Sequence, residues 1–208
     1  MKKLILPFVA LTMLFASSNS NAQVVEQGSV IVDGYYGFPN LYTAIFKGIY
    51  ADIGEGIDIK FGSLGPLGLR GEYLLTDKVG LGMDLGMNSS SITYTETSTS
   101  STGVITSYDY KFATQKIGAM VTFNYHFIEN DNLDAYFVIG MGYGKRTFTT
   151  STTNPNYTDD NATLRGLIPV ASKIGVGMRY FFTENLGANL ALGFGQGGLL
   201  NVGISAKF

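Results

Sequence analysis

The chain has 208 residues, 14% of them charged, with 27 glycines, no cysteine and a formal net charge of −2. Without cysteine there are neither disulfides nor thiolate metal ligands, and the slight acidity argues against nucleic acid, which calls for clustered positive charge. A mean hydropathy of +0.16, with no internal run long enough for a membrane helix, points to apolar residues spread over alternating strands.

Lys2 and Lys3 precede an apolar run over 4–16 and a polar stretch ending Ser20-Asn21-Ala22. This order reads as a secretory signal peptide over 1–22, cut before Gln23. The run falls short of the roughly 20 apolar residues an anchor needs. Loss of Lys2 and Lys3 leaves 12 basic residues against 16 acidic, a net charge of −4. Residues 23–208 are expected to form one domain, with no periplasmic module after Phe208.

Beyond the signal peptide the sequence predicts eight strands, each with one apolar face. The first, over 29–38, sets Val30, Val32, Tyr36 and Phe38 against Asp33. A long connection follows over 40–64, where Leu41, Ile45, Ile49 and Tyr50 suit a short amphipathic helix at the outer surface. The second strand opposes Leu67, Leu69, Tyr73 and Leu75 to Arg70 and Glu72; the third opposes Val79, Leu81, Met83, Leu85 and Met87 to Gly80, Gly82, Asp84 and Gly86. The Ser/Thr-rich stretch 89–107 reads as an extended hairpin above the membrane or as a mobile loop.

The fourth strand sets Ile117, Ala119, Val121, Phe123, Tyr125 and Phe127 against Lys116, Gly118, Thr122, Asn124 and His126. In the fifth, Leu133, Ala135, Phe137, Ile139, Met141 and Tyr143 oppose Gly140, Gly142 and Gly144, and a Thr/Asn-rich connection covers 149–164. The sixth pairs an apolar face of Ile174, Val176, Met178, Tyr180 and Phe182 with Lys173, Gly175, Gly177 and Arg179. The seventh opposes Leu186, Ala188, Leu190, Leu192 and Phe194 to Gly187, Asn189 and Gly193. A tight turn at Gln196-Gly197-Gly198 leads to the eighth strand, 199–208, which ends on Phe208.

Parity alone does not say which face points inward. Glycine on a solvated strand face weakens the strand and packs nothing, whereas small residues and paired charges fit inside a narrow barrel. The apolar spans of about ten residues match a tilted membrane strand. The predicted fold is therefore an all-β, eight-stranded antiparallel up-and-down transmembrane barrel with lipid outside. Tyr73, Tyr125, Tyr180 and Phe208 fall near the polar turns, and Tyr36, Phe38, Tyr143 and Phe194 near the opposite ends, as two aromatic girdles would.

The turn Tyr73-Leu74-Leu75-Thr76-Asp77-Lys78-Val79-Gly80 recurs as Tyr180-Phe181-Phe182-Thr183-Glu184-Asn185-Leu186-Gly187, and with a longer turn from Tyr125 to Leu133. Together with the signal peptide, the glycine-alternating strands and Phe208, this pattern resembles the small outer-membrane β-barrel superfamily that includes the OmpA transmembrane domain, OmpX and Opa-like proteins. The resemblance implies a bacterial outer-membrane location, lipid contact, and recognition of the Phe208 strand by the barrel-assembly machinery.

Seven charged residues, Asp33, Arg70, Glu72, Asp84, Lys116, Lys173 and Arg179, are expected to face the lumen and to pair there, because an unpaired charge in that space is costly. His126, the sole histidine, is read as filling the lumen rather than catalysing. Neither a catalytic set, a metal site nor a cofactor is expected; Asp159 and Asp160 beside Asn161 read as solvated loop residues. The favoured function is a non-enzymatic barrel with a structural or surface-interaction role through its extracellular loops. The alternatives are a narrow pore opened by exchange of ion pairs, or a lipid A-modifying enzyme built on His126.

Overall fold

The computed structural model describes residues 24–50, 58–100, 102–157 and 169–208. The signal peptide and the loop acids Asp159 and Asp160 lie outside the described residues. Eight strands form the wall: β1 (Val30–Phe38), β2 (Ile59–Thr76), β3 (Val79–Thr99), β4 (Ile105–Glu129), β5 (Leu133–Thr152), β6 (Val170–Phe181), β7 (Leu186–Gly195) and β8 (Leu200–Lys207). One helix, α1 (Leu41–Tyr50), follows β1. Every strand pairs antiparallel with its sequence neighbour, and β8 pairs with β1 to close the barrel. Closure leaves the ring without an unpaired edge at membrane depth.

The barrel is inside out. Leu69, Val121, Met141 and Ile204 are 60–72% exposed on the outer face, whereas Arg179 and Asp84 on the inner face are fully buried. An outer surface this apolar, wrapped around a charged interior, is what hydrocarbon as the surrounding solvent selects. Among the described residues no helix is long and apolar enough to cross a membrane; the strands make the crossing.

The wall is uneven. β1, β6, β7 and β8 have 8–12 residues, while β2, β3, β4 and β5 have 18–25. β3 and β4 stay in register from the Met87–Ile117 pair up to Thr99–Ile105, about 40 Å of strand beyond the apolar belt at roughly 3.3 Å per residue. The Ser/Thr stretch 89–107 is therefore the extended hairpin, not a mobile loop. Likewise 40–64 is not one connection, since β2 already begins at Ile59, and β5 carries 149–164 as strand through Thr152.

Helix α1 is pinned to the inner side of this tall wall. The Asn40 side-chain amide donates to the Ser89 carbonyl (2.8 Å), the Ser90 hydroxyl donates to Asn40 Oδ1 (2.9 Å), and the Thr43 hydroxyl donates to Ser90 Oγ (2.8 Å). At the opposite, short-turn end, Val24 and Val25 tuck under the barrel against Ile31, Leu74 and Phe181. Lys207 fastens that segment by donating to the Val24 carbonyl at 2.7 Å.

Candidate functional site

The pleat delivers the charges inward, and strand register brings them level. Asp33 on β1 is opposite Arg70 on β2, which is opposite Asp84 on β3. Asp134 on β5 is opposite Arg179 on β6. The glycines of the same face make the room. A Cβ on Gly177 would strike the Tyr136 ring, one on Gly80 the Glu72 carboxylate, and ones on Gly86 and Gly118 the Gln196 amide. Glycine alternation is thus the negative image of the large side chains that fill the lumen.

Arg179 is the hub. Its Nη2 lies 2.9 Å from Asp33 and 2.7 Å from Glu72, its Nη1 lies 2.9 Å from Asp134, and its guanidinium sits 4.2 Å over the Tyr136 ring. Arg70 spans Asp33 (3.5 Å) and Asp84 (3.4 Å) and donates to the Tyr136 hydroxyl at 2.8 Å. Asp84 also holds Lys173 (3.1 Å) and accepts from the Tyr35 hydroxyl (2.7 Å) and the Gln196 amide (2.9 Å). Arg suits the hub because its fork of donors serves several carboxylates in fixed directions.

His126 completes the charge balance. Its Nδ1 is 2.6 Å from Asp134 and its Nε2 is 2.9 Å from Glu72, with all three side chains fully buried. A neutral imidazole offers one N–H and one lone pair; facing two ionised carboxylates, which only accept, the ring donates from both nitrogens as the imidazolium. Four carboxylates, Asp33, Glu72, Asp84 and Asp134, are then matched by Arg70, Lys173, Arg179 and His126. Both ring nitrogens are committed to carboxylates, and among the described residues no hydroxyl is a hydrogen-bond partner of the ring.

Of the seven charges read from sequence, all but Lys116 meet in this network. Lys116 faces inward but stands higher, opposite Arg146, and among the described residues it forms no ion pair. Placing it in the network is corrected, for a physical reason: parity fixes the face but not the depth, and the carboxylates lie lower. Tyr36, Tyr73, Tyr125, Tyr143, Tyr180 and Phe194 are all exposed on the outer face. Phe208 is 75% exposed, and its backbone exchanges two hydrogen bonds with Val30, of 2.8 and 2.9 Å.

Sequence reasoning missed Asp134, Tyr35 and Tyr136, which the same alternation puts inside, and the Gln196 contact, for which no local signal exists. Among the described residues no group of three or more His, Asp or Glu side chains is placed to hold a metal ion.

Fold and lumen together define a class: a lipid-facing barrel with a salt-bridged interior. No protein-family model and no curated protein matches the chain. Among solved structures it is similar to the N-terminal β-barrel domain of Pseudomonas aeruginosa OprF (17% identity, 88% of this chain and 100% of that one, TM-score 0.46). It is also similar to the outer-membrane protein OprG of P. aeruginosa (13%, 90% and 99%, TM-score 0.46) and to Ail, the attachment invasion locus protein of Yersinia pestis (13%, 88% and 100%, TM-score 0.33). Likeness at this level assigns no activity, and the functional reading rests on the chain's own geometry.

Proposed function

We propose that this protein is a non-enzymatic, integral barrel of the bacterial outer membrane whose lumen is sealed and whose task is carried out at its extracellular end. The observation that carries the reading is the Arg179 hub: one guanidinium ties together β1, β2 and β5 through Asp33, Glu72 and Asp134 from its place on β6. Such a cross-brace fills the narrow interior and leaves the tall β2–β5 wall as the surface free to meet envelope or external partners. Membrane lipid is the partner of the apolar belt. The β8 strand with Phe208 is the segment that the assembly machinery would engage, because it pairs with β1 at the closing seam of the ring.

A second reading, a narrow pore, is favoured by one detail. Arg70 holds its two carboxylates at 3.4–3.5 Å, against 2.7–2.9 Å at Arg179, and so is the looser link in the network. Conductance of the purified protein in planar bilayers separates the two. The sealed barrel gives no steps in its native form and gains them in Arg179→Ala, or in the milder Arg70→Ala should the first not assemble. Regular single-channel steps from the native protein would overturn the sealed reading in favour of the pore.

A further inference from the structure

Helix α1 is apolar on the side that faces away from the wall. Leu41, Ile45 and Ile49 recur every fourth residue and form one stripe. They are 46–58% exposed, as much as the lipid-facing Tyr36, Ile117 and Tyr180. The helix cannot turn this stripe inward, because its opposite side is held to three strands. Thr43 bonds to Ser90 on β3, the Tyr42 ring lies 3.6 Å from the Arg146 guanidinium on β5, and Lys47 sits 5.9 Å over the Phe61 ring on β2. A single exposed apolar side chain is ordinary, but a fixed row of three marks an interaction surface.

Opposite the stripe is the low side of the barrel. β1 follows β2 only as far as the Tyr36–Leu67 pair, and β6 follows β5 only as far as Tyr143–Val170. Between them β7 stops at Gly195 and β8 begins at Leu200. Above that level the described strands form an open sheet of β2 to β5, with no strand across from it. A helix with its side chains is about 10–12 Å wide, and the interior of eight strands is only wide enough for side chains. Helix α1 therefore reaches from the tall wall across the mouth to the low rim.

That rim is already a lipid-facing surface. Phe38 ends β1 just before α1 begins, and Phe38, Val170 and Phe194 are all exposed at the tops of their strands. Leu64, whose carbonyl accepts from the Asn40 amide at 3.5 Å, is exposed on the outer face beside the base of the helix. The stripe thus starts at girdle height and continues the apolar belt without a break.

We propose that α1 is an interfacial foot, its Leu41–Ile45–Ile49 stripe resting on outer-leaflet lipid where headgroups meet acyl chains. Amphipathic helices bind membranes at that depth by burying their apolar side. Only the tall β2–β5 wall then projects beyond the membrane, and the contact is the same whether the lumen is sealed or conducting.

The chain contains no tryptophan, so Ile45→Trp, or Ile49→Trp should the first not assemble, reports on the stripe alone. Its fluorescence is read in phosphatidylcholine vesicles whose acyl chains carry bromine near the headgroup, and in unbrominated vesicles with iodide on both sides of the membrane. Met141→Trp on the belt and Tyr157→Trp beyond β5, both at exposed positions, are the references. Bromine is expected to quench Ile45→Trp to within about a factor of two of Met141→Trp, in protein that keeps its heat-modifiable gel mobility. Absence of quenching by bromine would overturn the proposal, and iodide then identifies what meets the stripe. Quenching as strong as at Tyr157→Trp means water. Protection means protein: a second copy if it fades on dilution into lipid, another part of this chain if it does not.

Discussion

At the residue scale, the interior follows from the cost of solitary charge. A buried ion deprived of its partner loses far more than a matched pair gains, so each lumen residue depends on the others. His126 makes this testable, because it is the only cation between Glu72 and Asp134 that donates from a ring. Replacing it by Phe keeps volume and aromatic character beside Tyr136, whose ring lies 5.6 Å away, but leaves two carboxylates short of one positive charge. His126→Phe is expected to destabilise the barrel by about 3–5 kcal/mol, read as a lower urea midpoint for unfolding from lipid vesicles. Adding Glu72→Gln recovers part of that loss by removing one of the excess charges. An unchanged midpoint for His126→Phe would mean that the imidazolium is not required for charge balance.

At the element scale, the strands were legible where one face meets lipid. Ile117 to Phe127 alternate cleanly because hydrocarbon accepts only apolar side chains on that face. Above the belt the outer face of β3 and β4 meets water, and the inner face beside α1 is buried through polar as well as apolar side chains, Ser90 and Thr114 with Ile92; the alternation lapses into Ser and Thr, and a tall hairpin cannot be told from a loop by pattern. Gln196 was illegible for a different reason: it reaches the lumen from a turn, and what draws it in is Asp84, 112 residues away in sequence. The seven lumen charges were legible as a face, whereas their depths, and hence the separation of Lys116 from the rest, depend on register across five strands. Since the upper hairpin contributes nothing to the lumen network, joining Tyr94 to Tyr110 by a short Asn-Gly turn in place of 95–109 should leave assembly intact. The shortened protein is expected to keep the gel-mobility difference between unheated and heated samples. Loss of that difference would make the hairpin part of the folding unit instead of an appendage.

At the scale of the whole molecule, stability and location both depend on the ring being closed. β1 is joined to β8 from Ile31–Lys207 up to Phe38–Leu200, and the Phe208–Val30 backbone pair is the last rung at the short-turn end. That rung also borders the Val24–Val25 segment beneath the lumen, because Lys207 bonds to the Val24 carbonyl. Removing Phe208 therefore takes away two backbone hydrogen bonds, a lipid-facing ring and the edge of the lower seal together, while the charge network higher in the lumen keeps all its partners. At this interfacial end, beside the girdle residue Tyr73, the freed Val30 backbone groups lose their partners to water and headgroups, a loss of about 1 kcal/mol per hydrogen bond. Deletion of Phe208 is expected to lower the yield of heat-modifiable protein in the outer-membrane fraction severalfold. Phe208→Ala, which keeps both backbone bonds, should fall between the deletion and the native chain. If the two variants fail equally, the aromatic ring is the recognised feature; if neither differs from the native protein, closure at Val30 is dispensable for assembly.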